Sequence, residues 1–167
     1  MDPNLITPFM QSAQNVFSTM LQLPVGIGEP SVKSDHATTY DVSGIVGMSG
    51  DVVGSVVLSF PRETAERIVA LFSGEPVTAE DENLADAIGE LINMVAGGAK
   101  GMFQKRQASI SCPSVIVGSG HTVSRPKDVP CITIPCQTDC GAFCIEVSVK
   151  DAVADESDES TPTSQAA

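Results

Sequence analysis

Tryptophan is absent from this chain, tyrosine occurs once and histidine twice. With so few imidazoles and large rings, an internal general base or an aromatic-lined cofactor pocket has little to be built from. Basic side chains are scarce too. Nine Lys and Arg stand against 21 Asp and Glu, a net charge of −12, which argues against a nucleic-acid partner because binding phosphates draws on clustered cations. No apolar run reaches the roughly 18 residues of a membrane span. The N-terminus has neither the basic start nor the cleavable apolar core of a secretion signal. These absences predict a cytoplasmic protein with no membrane partner. Also missing are the Walker loop, the G-x-G-x-x-G turn, the G-x-S-x-G elbow and H-E-x-x-H. A self-contained active site is therefore hard to assemble.

Of five cysteines, four fall at Cys131, Cys136, Cys140 and Cys144, a C-x4-C-x3-C-x3-C run that fits none of the common zinc spacings. They read as small, partly buried thiols on strands rather than metal ligands. No cofactor is expected on this chain.

The 167 residues suit one domain with a real core. Asp151, Asp155, Glu156, Asp158 and Glu159 lie in a stretch with no large apolar residue after Val153. Residues 1–150 are predicted to form the domain and 151–167 a disordered acidic tail. Without the tail, sixteen acidic residues face nine basic ones, so the body is still acidic at −7.

Leu5, Phe9, Ala13, Val16, Phe17 and Met20 follow a helical period, and the helix starts either at Pro3 behind Asp2 or one turn later behind Thr7. Tyr40–Met48 and Val52–Phe60 read as strands joined at Ser49, Gly50 and Asp51. Their glycines imply a bulge or an element lying close against the sheet. Pro61 opens a short helix through Ala65, Ile68, Val69 and Phe72, closed by Gly74 and Pro76. Thr78 and Asp81 resemble a capping box for a long helix that the pattern extends to about Arg106, about 40 Å in all. Strands follow at Val115–Val117, Cys131–Cys136 and Gly141–Val149, with His121 to Asp128 as an exposed loop. The fold class is α+β, a mainly antiparallel sheet covered by helices.

One part of the long helix disobeys the rules of a plain structural helix. Leu84, Ala87, Ile88, Leu91, Val95, Ala99 and Met102 form the inward stripe, while Asp86, Glu90, Asn93 and Gly97 fall close to one line on the opposite face. Each interior glycine costs about 1 kcal/mol against alanine. Gly89, Asn93, Gly97 and Gly98 therefore make a locally poor helix, and small residues beside a polar pair leave room for another molecule. A Glu and an Asn on such a face are ordinarily solvated surface, and E-x-x-N also occurs at Glu80 and Asn83, where it belongs to the helix start.

The context is more specific. Glu90-Leu91-Ile92-Asn93-Met94 followed by Ala96-Gly97 resembles the signature helix of the CheC and CheX family of bacterial chemotaxis phosphatases. The resemblance extends over roughly residues 1 to 150, including the hairpin end Leu58-Ser59-Phe60 and the helix start Arg62-Glu63-Thr64-Ala65. It implies a CheC-like fold with one long signature helix, as in homodimeric CheX types, where two copies supply two sites. It also implies hydrolysis of the aspartyl phosphate on a CheY-like receiver domain, in chemotaxis or another two-component pathway, with Mg²⁺ on the receiver. Glu90 and Asn93 would be catalytic, and Asp86 and Gly97 partner-binding. The alternative from another class is a noncatalytic module that binds receivers without turnover.

Overall fold

Asp2 accepts a hydrogen bond from the Asn4 backbone N–H at 2.9 Å, and Pro3 takes the first helical position. Helix α1 therefore spans Pro3–Leu21, the earlier of the two predicted starts. Pro8 is carried inside it and offers no N–H to the preceding turn. The computed structural model describes residues 1–34 and 39–152, so the tail expected after Lys150 lies, from residue 153 on, outside the described residues.

Two short strands, β1 (Gly26–Ile27) and β2 (Ser31–Val32), precede the hairpin of β3 (Val42–Gly50) and β4 (Val52–Phe60). The hairpin is registered from Val42 opposite Phe60 to Met48 opposite Gly54. Gly54 has φ 140°, and a side chain there would strike the carbonyl of Ser148, so only glycine suits this point of the strand. Then come α2 (Arg62–Ser73), α3 (Glu82–Lys100), β5 (Ala108–Ile110), β6 (Ser114–Val117), β7 (Ile132–Thr138) and β8 (Gly141–Asp151). The strands run β1-β7-β8-β4-β3-β5, with β2 also on β7 and β6 also on β3. Every pairing among the described residues is antiparallel. This is the predicted α+β architecture. Among the described residues, no helix is long and apolar enough to cross a membrane.

Side chains alternate between the two faces of the sheet. Val42, Val46, Val56, Leu58, Ile145 and Val147 are buried beneath the helices. Phe143 stacks on Phe17 of α1 and on Phe60, with ring centroids 5.0 and 5.1 Å away. The opposite face is polar yet also buried, carrying Ser43, Ser59, Glu146 and Ser148. His121 reaches it: Nε2 lies 2.9 Å from Ser43 Oγ, while Nδ1 lies 2.7 Å from the Gly118 carbonyl. Lys33 meets Glu146 at 2.7 Å, with both side chains under a tenth exposed. The loop expected to be exposed from His121 is thus anchored at its first residue, because buried hydroxyls and carboxylates need partners in place of water.

Helix α3 stops at Lys100, short of the expected Arg106. The Met102 and Phe103 amides reach back only three residues, to Ala99 and Lys100, and the tightened turn brings Phe103 to 5.9 Å from Phe9. Arg106 pairs instead with Asp2 and Asp151. At 1.5 Å per residue the helix measures about 28 Å. Its N-cap is Asp81, whose carboxylate accepts the Asn83 N–H at 2.9 Å. Thr78 contributes its carbonyl, which accepts from Asp81 N at 3.0 Å.

Candidate functional site

The apolar period of α3 fixes its rotation. Leu84, Ala87, Ile88, Leu91, Ile92, Val95 and Ala99 are all buried, and fully burying one Leu or Ile stabilises by about 1.5–3 kcal/mol. Gly44 of β3 admits the helix closely: a side chain there would press the methyls of Ile92 and Ile88 at 3.0 and 3.1 Å.

That rotation turns Asp86, Glu90, Asn93 and Gly97 away from the sheet. Asp86 and Glu90 are exposed, and Asn93 and Gly97 are half-buried. Among the described residues, neither Glu90 nor Asn93 has a side-chain hydrogen bond or ion pair. The stripe sinks toward its C-terminal end because α1 and β5 close in there. Ser12 Oγ of α1 donates to the Val95 carbonyl at 2.6 Å, and Ile110 Cδ1 stands 4.0 Å from where a Gly97 side chain would begin. The other E-x-x-N is dispersed, with Glu80 bound to Arg62 at 2.8 Å.

The glycines do not all serve this stripe. Gly89, expected to leave room for another molecule, is buried, and a side chain there would lie in ordinary contact with Pro113 and Val115 at 3.5 Å. At Gly98 a side chain would collide with Ser12 Oγ, so its smallness admits α1. Gly97 leaves its outward side open, with Ile110 Cδ1 at 4.0 Å its nearest neighbour.

Pro113 carries no signal in the sequence, because Ser111-Cys112-Pro113 has no period. Its position comes from pairing. Ile110 lies opposite Met48 and Ser114 opposite Ile45, so three residues face two, and the extra one bends the edge strand toward α3. There Pro113, Val115, Gly89 and Glu90 line a hollow of about 530 Å³. A second, of about 330 Å³, runs between α2 and α3 and shares Asp86 and Glu90. Glu90 thus stands on a ridge between two depressions.

The cysteines lie elsewhere. Cys136 and Cys140 join the core beneath the helices, while Cys131 and Cys144 are buried outside that cluster. Burial pushes the thiols of Cys136 and Cys144 up to about 12 and raises those of Cys131 and Cys140. Protonated thiols are poor ligands and nucleophiles. Among the described residues, no group of three or more His, Cys, Asp or Glu is placed to hold a metal ion.

A carboxylate and an amide on one face of a helix can order a water and dock a cation, and kinship gives the family in which such a face occurs here. Residues 42–137, which include all of α3, match the family model described as chemotaxis phosphatase CheX. The chain belongs to the CheX family. It is 29% identical over 121 residues to the CheY-P phosphatase CheX of Thermotoga maritima, across 71% of this chain and 78% of that protein. A CheC-like superfamily protein from Shewanella sp. PV-4 superimposes with a TM-score of 0.82 at 33% identity, over 90% of this chain and 99% of that one. A chain of the CheX–CheY–BeF3–Mg²⁺ complex from Borrelia burgdorferi gives a TM-score of 0.75 at 24% identity, over 88% and 98%. That last likeness speaks for the CheX fold alone.

Proposed function

We propose that this chain is a phosphatase that hydrolyses the aspartyl phosphate of a CheY-like receiver domain, in chemotaxis or a related two-component pathway in the cytoplasm. One observation carries the reading: Glu90 and Asn93 face outward one turn apart on a helix anchored along its other side, and no group of the described chain engages them.

An amide both donates and accepts hydrogen bonds. Asn93, inserted beside the receiver's phosphoryl group, holds a water in line with phosphorus. The water oxygen attacks, the aspartyl carboxylate departs, and inorganic phosphate and a free aspartate result. An acyl phosphate has a good leaving group, so no strong base is required and positioning dominates. A hundredfold acceleration needs only about 2.7 kcal/mol. Glu90 pairs with a lysine of the receiver and sets the register of docking, while Asp86 and Gly97 form adjoining contact surface. Mg²⁺ belongs to the receiver in this reading. With one signature helix per chain, a homodimer supplies two sites, and light scattering at micromolar concentration checks it.

The test is Asn93→Ala. The variant should bind a phosphorylated receiver nearly as the wild type does and lose the added rate of phosphate release. Undiminished hydrolysis would remove Asn93 from the mechanism, and a wild-type chain that binds without accelerating release would be the noncatalytic module.

A further inference from the structure

The hollow between α2 and α3 has a composition of its own. Val69, Phe72 and Val77 give it an apolar floor, Glu75, Asp86 and Glu90 give it an acidic rim, and no Lys or Arg of the described residues lines it. Phe72, at the end of α2, keeps 36% of its surface exposed.

We infer that this hollow receives a short segment of the receiver in which an apolar side chain is flanked by lysine or arginine, and that it selects among receivers by affinity rather than by chemistry. The inference rests on the proposed phosphatase reading, through Glu90. That residue belongs both to the stripe and to the hollow, and Asn93 lies three residues on, a rise of about 4.5 Å. A receiver seated with its phosphoryl group at Asn93 therefore covers the mouth of the hollow. Covering it removes water from four carboxylates, the α3 cap Asp81 included, which is unfavourable unless the partner brings cations. It also leaves the apolar floor against a void unless a side chain fills it. A basic segment with one apolar anchor satisfies both demands. Neighbouring negative charge further favours encounter with a basic face.

Two substitutions outside the Glu90 and Asn93 pair test this, Glu75→Lys in the loop after α2 and Phe72→Ala. The probes are a CheY-type receiver of the same organism locked with beryllofluoride and Mg²⁺, for binding, and the phosphorylated receiver, for turnover. Glu75→Lys should raise Kd and KM about tenfold at low ionic strength and leave kcat within about twofold. The defect should shrink at about 0.5 M salt, where the Debye length falls to a few ångströms. Phe72→Ala should weaken binding by a similar factor that salt does not relieve, and Phe72→Leu should restore most of it. Circular dichroism and thermal melting confirm that each variant is folded. If both variants bind and turn over as the wild type does while Asn93→Ala abolishes hydrolysis, the hollow has no part in docking and the phosphatase reading stands. If Asn93→Ala hydrolyses normally while the hollow variants lose binding, the catalytic assignment fails and the docking surface stands.

Discussion

Ile92 and Asn93 are neighbours in the chain and opposites in the fold. Ile92 is fully buried and faces Gly44 of the sheet. Asn93, about 100° further round the helix, looks outward with no partner among the described residues. The difference shows how a helix presents a polar pair rigidly. The anchor and the presented groups share the same turns, so inward residues hold the geometry that outward ones use. Substitutions on the two faces should separate stability from turnover.

The largest effect belongs to the inward face. Ile92→Ala should lower the unfolding free energy by about 3 kcal/mol, read by urea denaturation, while the folded fraction keeps its kcat. An unchanged midpoint would mean that the helix is not held there. Next is Asn93→Ala, expected to slow receiver dephosphorylation by about a hundredfold, about 2.7 kcal/mol at the transition state. Its unfolding free energy should stay within about 0.5 kcal/mol of wild type. A loss of both together would erase the separation.

Buried thiols should also make stability depend on pH. The Cys136 and Cys144 thiols are raised from 9.0 to about 12 in the folded chain. Above pH 9 the unfolded chain releases protons that the folded chain keeps, so stability is full below that pH and falls as pH rises toward 12. Each thiol contributes a slope of about 1.4 kcal/mol per pH unit. Urea titrations between pH 8 and pH 11 should show the decline, and Cys136→Ala should flatten it.

Smaller effects lie along the outward stripe. Gly97→Ala should raise stability by about 0.5–1 kcal/mol through helix propensity and at the same time weaken receiver binding. A stabilised variant with undiminished affinity would remove Gly97 from the interface. Asp86→Asn should leave stability within about 0.5 kcal/mol and weaken binding only about two- to threefold, at low salt.

The long periods were legible in the sequence. The inward stripe of α3 is buried at Leu84, Ala87, Ile88, Leu91, Val95 and Ala99, and the runs rich in Val and Ile do form the hairpin of β3 and β4, with β3 beginning at Val42 rather than Tyr40 and continuing through Gly50 of the expected turn. The stripe of Asp86, Glu90, Asn93 and Gly97 was legible for the same reason. What escaped were features made by contacts distant in sequence. Close packing and open space both select glycine, so Gly98 reads as room for a visitor when Ser12 fills it. Three-residue β5 is too short to show a period, and its bulge exists only relative to Val46 and Gly47. The end of α3 was overestimated because Phe103 continues the apolar pattern while the backbone has already turned to bury it against Phe9. His121 read only as the start of an exposed loop because its partner Ser43 is 78 residues away.

Arg106 leaves one more mark on the architecture. Its Nη2 lies 3.0 Å from Asp2 and 3.0 Å from Asp151, so the cap of the first helix and the last rung of the final strand meet on a single guanidinium. A segment spliced in at these two points enters and leaves at one spot on the surface. Asp2 and Asp151 therefore lie close together on the surface, so a link between these two points need not travel across the molecule.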